Sequence, residues 1–203
     1  SQGSLRGYLR VPNIARRMLA NADLLCAQSK VDAQRLRNLG APEQLVHVTG
    51  NLKFDVQLPA RLLEEARALR GNWGRERPVW IAASTHAGEE RKVLDAFARL
   101  AARFPDLLLV LVPRHPEPFQ AVARLCRQRG HTVALRSRTP RELPPRTEVL
   151  VGDRMGELQR LYAPADVAFI GGSLVAHGGQ NLLEACAVHV PVVFGPHMFH
   201  FEE

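Results

Sequence analysis

Short apolar runs alternate with amphipathic stretches along the chain from Arg77 onward. Runs rich in Val, Ile and Leu are typical of strands that a parallel sheet buries on both faces. The predicted strands are Val79–Ala83, Leu107–Val112, Thr132–Leu135, Glu148–Val151, Asp166–Ile170 and Pro191–Phe194. The helices predicted between them are Gly88–Arg103, Pro118–Arg129, Met155–Ala163 and Asn181–Ala187. This alternation predicts a βαβ series around a parallel sheet.

The first 50 residues repeat the same alternation on a smaller scale. The pattern predicts two helices and two strands, at Leu5–Ala20, Leu24–Gln28, Val31–Leu39 and Val46–Thr49. We interpret residues 1–50 as the end of a separate domain. Asn51–Pro59 is interpreted as a linker, and the charged helix Ala60–Leu69 and a polar turn at Gly71–Gly74 follow it. Residues 51–76 would then be a hinge and first helix, and residues 77–203 a Rossmann-like domain that we expect to be truncated at its C-terminus.

Composition and charge narrow the classes of function. The chain has 203 residues, of which 46% are hydrophobic, so it can bury a sizeable core. Its 27 Lys and Arg outnumber its 20 Asp and Glu, giving a net charge of +7. That excess suits an anionic partner such as a nucleotide or an acidic lipid surface, although a solvated arginine-rich surface is an equal alternative.

The cysteines indicate a reducing, cytoplasmic compartment. Cys26, Cys126 and Cys186 are widely separated and show no CxxC spacing, which argues against a disulfide framework or a zinc site. No apolar run approaches the roughly 20 residues that are needed to span a bilayer. The loop histidines show no HExxH-like spacing, so we expect no metal.

Polar residues follow four of the predicted strands, where ligands of open α/β sheets bind. Two prolines hold Arg114 in the segment Pro113–Glu117, and a guanidinium is well matched to a phosphate. We expect Met155, Gly156 and Glu157 to offer the N–H groups of a first helical turn. A structural alternative is that Asp153 caps this helix.

The other two loops begin with hydroxyls and with glycines. In Ser84–Glu90, Ser84 or Thr85 could act as a helix N-cap with acidic residues in the first turn. In Gly171–Glu184, four glycines around His177 lead to an amide and a carboxylate, and we expect them to let the backbone approach an anionic ligand. None of the loops is a Walker A or GxGxxG motif, so the prediction of a nucleotide site rests on their convergence.

Several segments, taken together and in order, resemble a known family. They are Val48–Asp55, Ser84–His86 with Gly88–Glu90, Pro113–Glu117, Gly152–Asp153 with Met155–Leu158, Gly171–Leu174 and Gly195–Phe201. This joint pattern is similar to that of the bacterial 3-deoxy-D-manno-octulosonic acid (Kdo) transferases of lipopolysaccharide synthesis. The resemblance implies a GT-B glycosyltransferase fold, in which the N-terminal domain binds a lipid A precursor and the C-terminal domain binds CMP-Kdo. It also implies that the protein acts at the cytoplasmic face of the inner membrane.

The resemblance also implies roles for individual residues. The positions that match the family's CMP contacts are Pro113, Arg114, Met155, Gly156, Glu157, Asn181, Leu182, Leu183 and Glu184. Glu184 would bind the ribose, and Lys53 would stabilise the transition state. The family's general base is a glutamate early in the acceptor domain, outside these residues, so we expect the fragment alone to be inactive. The implied transfer is inverting and needs neither a metal nor a cofactor besides the donor.

This chain differs from the family's usual sequence within the glycine-rich segment. His177 and Gln180 stand where an arginine and a histidine are common, and Leu182 replaces a proline. Arg154 replaces a usual threonine, and we hypothesise that it restores the missing charge. Two alternatives remain open: another GT-B enzyme that uses a UDP-sugar, and a basic module that binds an anion or a membrane without catalysis.

Overall fold

The computed structural model describes residues 2–50, 60–139, 142–199 and 201. These residues form two compact units, one containing the described residues up to Gly50 and the other containing those from Ala60 onward.

The first unit has helices on a small parallel sheet. Its elements are α1 (Gln2–Tyr8), α2 (Pro12–Ala20), β1 (Leu25–Ala27), α3 (Lys30–Asn38), a short 3-10 helix (Glu43–Leu45) and β2 (Val46–Val48). Strands β1 and β2 pair in parallel, with Leu25 opposite Val46. Ser29 caps α3 by accepting a hydrogen bond from the N–H of Asp32 at 3.1 Å. A small core containing Leu19, Ala33 and Val46 holds this unit together.

The single helix predicted over Leu5–Ala20 is wrong, because the chain breaks it into α1 and α2. Pro12 has no N–H to donate and its ring clashes with a helical carbonyl four residues earlier. Tyr8 is therefore the last residue of α1, and Pro12 is the first residue of α2, where a missing N–H costs nothing.

The second unit is a six-stranded parallel sheet with helices on both faces. Its strands are β3 (Val79–Thr85), β4 (Leu108–Pro113), β5 (Val133–Leu135), β6 (Val149–Val151), β7 (Val167–Ile170) and β8 (Val192–Phe194), in the spatial order β5-β6-β4-β3-β7-β8. Its helices are α4 (Leu62–Trp73), α5 (Glu89–Ala101), α6 (Phe119–Gln128), α7 (Leu158–Tyr162) and α8 (Leu183–Ala187). The predicted parallel βαβ series is thereby confirmed.

The polar turn predicted at Gly71–Gly74 is also wrong, because Gly71 to Trp73 complete α4. Buried residues recur along this helix at Leu62, Ala66, Leu69 and Trp73, a spacing that keeps them on one face. The apolar indole extends this face by a turn. The helix ends at Gly74, which has a φ of 108°.

Alternate residues of the central strand β3 pack into two separate cores. Ile81 and Ala83 face the core on α4, α7 and α8, whereas Ala82 faces the core on α5 and α6. Helices therefore cover both faces of the sheet around β3.

Candidate functional site

Loops from four strands surround one cleft of about 480 Å³ at the carboxyl edge of the large sheet. Its lining residues are Ser84, Val112, Pro113, Arg114, Phe119, Arg154, Met155, Gly156, Leu158, Gln159, Gln180, Asn181 and Glu184. Strand β3 pairs with β4 on one side and with β7 on the other. The connection after β3 leads to β4 and the connection after β7 leads the opposite way to β8, and open α/β sheets form their binding crevice between two such strands.

The cleft brings together most of the residues that the sequence suggested for a nucleotide. Lining it are Pro113, Arg114, Met155, Gly156, Asn181 and Glu184. Among the described residues, Glu157, Leu182 and Leu183 do not line it. The Glu157 side chain pairs with Arg136 and Leu182 packs against the core, so each supports the cleft wall from behind. Lys53 lies outside the described residues.

Arg114 occupies the turn that follows β4. Its backbone N–H donates to the carbonyl of Thr85 at 2.9 Å, which ties this turn to the end of β3. Its exposed side chain donates from Nε to Oε1 of Gln180 at 3.0 Å. A fixed guanidinium at the cleft wall is suited to a phosphate or carboxylate.

The loop after β6 is held by side chains, and it is not the start of a helix. Helix α7 begins at Leu158, so the first turn predicted at Met155 is wrong. Gly156 has a φ of 79°, a left-handed conformation that a helix does not use. Asp153 does not cap α7 either, because its carboxylate accepts hydrogen bonds from the N–H and hydroxyl of Ser137 at 2.7 and 2.6 Å.

An ion pair completes this anchoring. The guanidinium of Arg136 lies 3.0 Å from the Glu157 carboxylate, and both side chains are largely buried. Because Arg136 and Ser137 belong to a short 3-10 helix (Arg136–Arg138) that follows β5, this helix fixes the loop after β6 from two points. Arg154 lies on the same loop, exposed at the cleft, with Nη1 3.6 Å from Glu157.

The glycine-rich segment holds a buried carboxylate of the protein itself. Glu89 is fully buried at the start of α5. Its carboxylate accepts hydrogen bonds from the N–H groups of His86, Gly172, Ser173 and Leu174, at 2.7 to 3.1 Å. The backbone N–H groups that we expected to meet a ligand are thus already used, and they connect the loops after β3 and β7.

The glycines serve this same joining of loops. A Cβ on Gly171 would lie 2.2 Å from the carbonyl oxygen of Ser84, and a Cβ on Gly195 would lie 2.3 Å from that of Ser173. No side chain fits at either separation. At these two positions glycine therefore allows loop to approach loop, whereas we expected it to allow backbone to approach a ligand.

Neither Ser84 nor Thr85 caps α5. The N-cap position is Gly88, with a φ of 95°, and the backbone N–H of His86 is satisfied by Glu89. Ser84 has a φ of 53° and lines the cleft. A non-glycine residue in this conformation is uncommon, and it lies here at the turn where the site is built.

Gln180 connects the cleft to a group of histidines. Its Oε1 accepts from Arg114, and its Nε2 lies 3.1 Å from Nε2 of His86. The His86 ring stacks on that of His177 at 4.2 Å and meets that of His115 edge-on at 6.0 Å. Burial lowers the pKa of His86, and the neighbouring His177 lowers it further.

Asn181 and Glu184 form the third wall of the cleft. Oδ1 of Asn181 accepts from the N–H of Leu183 at 3.1 Å, and its Nδ2 donates to Oε1 of Glu184 at 3.2 Å. The amide thus forms a side-chain-to-backbone turn just before α8 and orients the carboxylate. Glu184 consequently presents a positioned acceptor that suits a hydroxyl group.

Sequence reasoning missed two kinds of contribution to the site. Phe119, Leu158 and Gln159 line the cleft, yet as first residues of amphipathic helices they carry no motif. The joining role of Glu89 was hidden because a carboxylate near a helix start suggests an ordinary first-turn acid. Its burial depends on a loop more than 80 residues away.

The described residues contain neither a grouped set of metal ligands nor a membrane-spanning helix. In residues 2–50, 60–139, 142–199 and 201, no three His, Cys, Asp or Glu side chains are grouped to hold a metal ion. No helix in this same part of the chain is long and apolar enough to cross a bilayer.

Comparisons with known proteins agree on one family. Residues 1–56 match the family described as 3-deoxy-D-manno-octulosonic-acid transferase (kdotransferase). The whole chain is 42% identical to the 3-deoxy-D-manno-octulosonic acid transferases of Haemophilus influenzae and Bordetella pertussis, and it covers 47% of each. The chain therefore spans about half the length of these curated relatives.

A solved structure matches most of the chain. It is the crystal structure of the C-terminal CMP-Kdo binding domain of WaaA from Acinetobacter baumannii. The match has a TM-score of 0.66 and 38% sequence identity, and it covers 71% of this chain and 75% of that chain. It confirms the α/β, GT-B type fold class that the sequence predicted.

Proposed function

The chain belongs to the Kdo transferase family, and on that premise we propose that its larger unit binds CMP-Kdo for transfer to a lipid A precursor. The observation that carries this proposal is the meeting of Arg114, Met155 and Glu184 in one cleft. These residues come from loops widely separated in sequence. The WaaA domain that the unit matches is itself described as a CMP-Kdo binding domain.

Each wall of the cleft has a proposed role in holding the nucleotide. We assign the phosphate to Arg114, because its guanidinium is fixed at the end of β4. We assign a ribose hydroxyl to Glu184, whose carboxylate is oriented by Asn181. Pro113, Met155 and Gly156 would contact the rest of CMP. Glu157, Leu182 and Leu183 would act from behind this surface by holding its loops.

The proposed reaction is an inverting group transfer. An acceptor hydroxyl attacks the anomeric carbon of Kdo as the bond from that carbon to the phosphate oxygen breaks. The bonding electrons leave with CMP, and the hydroxyl proton passes to a general base. Arg114 offsets the charge that develops on the departing phosphate, and we propose the same role for Lys53.

Calorimetric titration of the folded chain with CMP and with UDP tests the donor assignment. We expect CMP to bind at least about tenfold more tightly than UDP, a difference of about 1.4 kcal/mol. Preference for UDP would instead favour a GT-B enzyme that uses a UDP-sugar. Absence of CMP binding to a folded sample would contradict the proposal.

Two matched arginine variants test whether CMP binds in the cleft. Arg114→Ala removes a cleft guanidinium, and we expect it to weaken CMP binding by about tenfold or more because a charge-assisted hydrogen bond is lost. Arg99→Ala removes the same charge from the exposed surface of α5 and should leave affinity unchanged within about twofold. Equal effects of the two variants would point to nonspecific attraction.

We propose that the first unit belongs to the acceptor domain and contacts an anionic membrane surface at the cytoplasmic face. Helices α1 and α2 and their junction expose apolar side chains, among them Leu9, Ile14 and Met18, beside Arg10 and Arg17. Apolar and cationic side chains on neighbouring turns suit the interface of an acidic bilayer.

Co-sedimentation with liposomes tests this contact. We expect binding to vesicles that contain anionic lipid, weaker binding to neutral vesicles, and a loss of binding in Ile14→Ser with Met18→Ser. An exposed polar position on α3, in Gln34→Ser, provides the control. Equal sedimentation of all three proteins would exclude this surface as the contact.

A further inference from the structure

Three imidazole rings lie together next to the proposed nucleotide cleft. His86 follows β3, His115 follows β4 and His177 lies in the glycine-rich segment after β7. The ring of His86 is the centre of the group, 4.2 Å from that of His177 and 6.0 Å from that of His115. His115 and His177 are exposed, so a ligand can reach the group.

Gln180 lies between the histidines and the phosphate position. One end of its amide accepts from Arg114, and the other lies 3.1 Å from Nε2 of His86. A group attached to a phosphate at Arg114 therefore needs to extend only past Gln180 to meet the imidazoles. The amide nitrogen can only donate, which assigns Nε2 of His86 as an acceptor and its ring as neutral.

The charges around His86 explain that neutral state. His177 faces it from the loop after β7, and His115 and Arg114 face it from the loop after β4. Glu89 of α5 is the carboxylate that favours protonation, but it already accepts four backbone hydrogen bonds. Burial, followed by His177, gives His86 a lowered pKa. A neighbouring anion would reverse this balance.

Resting on the proposed function, we infer that His86, His115 and His177 form a subsite for the carboxylate of the donor sugar, distinct from the phosphate contact at Arg114. The donor is a sugar acid, and its carboxyl carbon is bonded to the anomeric carbon that the phosphate oxygen also joins. The carboxylate consequently lies beside the phosphate, as the histidines lie beside Arg114 through Gln180. In the described residues no ion pair connects the three rings to a carboxylate of the protein.

Binding of a carboxylate at this subsite should be coupled to proton uptake, so the affinity should depend on pH. Because the pKa of His86 is lowered in the free protein, the His86 imidazole is neutral near pH 7, and a bound carboxylate raises its pKa. Binding of the carboxylate therefore takes up protons, and affinity rises as pH falls from above the bound-state pKa toward the free-state pKa. For one linked proton the affinity changes by at most about tenfold per pH unit.

Two ligands separate the carboxylate from the phosphate in calorimetric titrations at about pH 8 and about pH 6. CMP-Kdo carries both groups, whereas cytidine 5′-methyl phosphate is a phosphodiester without the carboxylate and does not itself titrate in this range. We expect CMP-Kdo to bind about fivefold or more tightly at the lower pH, and the methyl ester to change by less than about twofold.

Histidine variants test whether the pH dependence of CMP-Kdo binding comes from this subsite. In His86→Gln with His115→Gln and His177→Gln, we expect the pH dependence for CMP-Kdo to be lost, because the imidazole that takes up the proton is gone, while affinity for the methyl ester is retained. His47→Gln removes an exposed histidine of the first unit and should keep the wild-type dependence. Identical pH dependence of the two ligands, or an unchanged dependence in the triple variant, would overturn the subsite. Failure of both ligands to bind would overturn the proposed function, and the subsite with it.

Discussion

The two edges of the large sheet each carry an arginine-lined cavity, but the cavities are built differently. The larger, of about 730 Å³, lies at the amino edge, and its walls include Arg75, Arg77 and Glu148. The smaller cleft, of about 480 Å³, lies at the carboxyl edge. By volume, the amino-edge cavity would be the stronger candidate for a ligand site. The hydrogen bonding of the charged side chains instead favours the carboxyl-edge cleft.

At the amino edge the charged side chains join the strand starts to one another. Arg77 donates to the carbonyls of Asp106 and Thr147, and Asp166 accepts from the N–H of Val79 at 2.7 Å. The Glu148 carboxylate accepts from the N–H of Thr132. Burial lowers the pKa of Arg77, which Asp106 and Glu148 counteract. These charges stabilise the sheet and offer little to an external anion.

At the carboxyl edge, one buried carboxylate holds the loops after β3 and β7 together. Glu89 satisfies four backbone N–H groups of two loops. Arg114 and Glu184 can therefore face the cleft. The difference shows what a sheet edge needs in order to bind a ligand. The hydrogen bonds that hold its loops together must be made by residues behind the cavity wall, so that the wall residues are left for the ligand.

The largest effect should come from Glu89→Ala. Four N–H groups, two of them buried and two part-buried, would lose their acceptor, and we expect the free energy of unfolding to fall by more than about 3 kcal/mol, with loss of CMP binding. Urea denaturation followed by circular dichroism measures the first effect. Glu64→Ala, an exposed position on α4, is the control. A loss below about 1 kcal/mol would show that Glu89 is not the joining residue.

Gly171→Ala should rank second. Its Cβ would lie 2.2 Å from the Ser84 carbonyl, which is backbone and cannot yield, so we expect a loss of about 2 to 4 kcal/mol. In α4, Gly71→Ala meets nothing within 4 Å and should stabilise the protein by up to about 1 kcal/mol. Thermal melts of the two variants in opposite directions would support the close loop contact; similar melts would contradict it.

Glu184→Gln tests the ribose assignment without a large change in stability. We expect about tenfold weaker binding of CMP, because a charged acceptor is replaced by a neutral one. Binding of 2′,3′-dideoxy-CMP should hardly respond, since this ligand lacks both hydroxyls. Equal weakening for the two nucleotides would move Glu184 away from the ribose.

Asp166→Asn addresses the opposite edge and should have the smallest effect. The change weakens the bonds to Val79 and Arg70, and we expect a cost of about 1 kcal/mol in unfolding free energy. CMP affinity should remain within about twofold of wild type. A marked loss of affinity would mean that the amino edge contributes to the site after all.

The sequence predicts the layout of the large unit well, because its strands are apolar throughout and separated by clear helical periods. Predictions of helix boundaries failed where the amphipathic pattern and the residues that favour a turn or a break pointed to different structures. Pro12 broke a helix with a continuous amphipathic pattern, and Trp73 extended α4 through residues that resemble a turn. In both cases a single residue decided the boundary.

The candidate site was predictable as a set of loops but not in its internal bonding. Position after a strand was enough to identify Arg114 and Glu184 as residues of the carboxyl edge. That Glu89 uses the N–H groups of Gly172 and Ser173 depends on contacts across more than 80 residues, which no local pattern contains. The glycine-rich segment therefore looked like the ligand contact itself.

A crystal structure of the protein grown with CMP tests the central claim most directly. We predict the phosphate at Arg114, with the ribose near Glu184 and Met155 alongside the nucleotide. The Glu89 carboxylate should keep its bonds to Gly172 and Ser173. CMP bound in the larger amino-edge cavity, beside Arg77, would contradict the account.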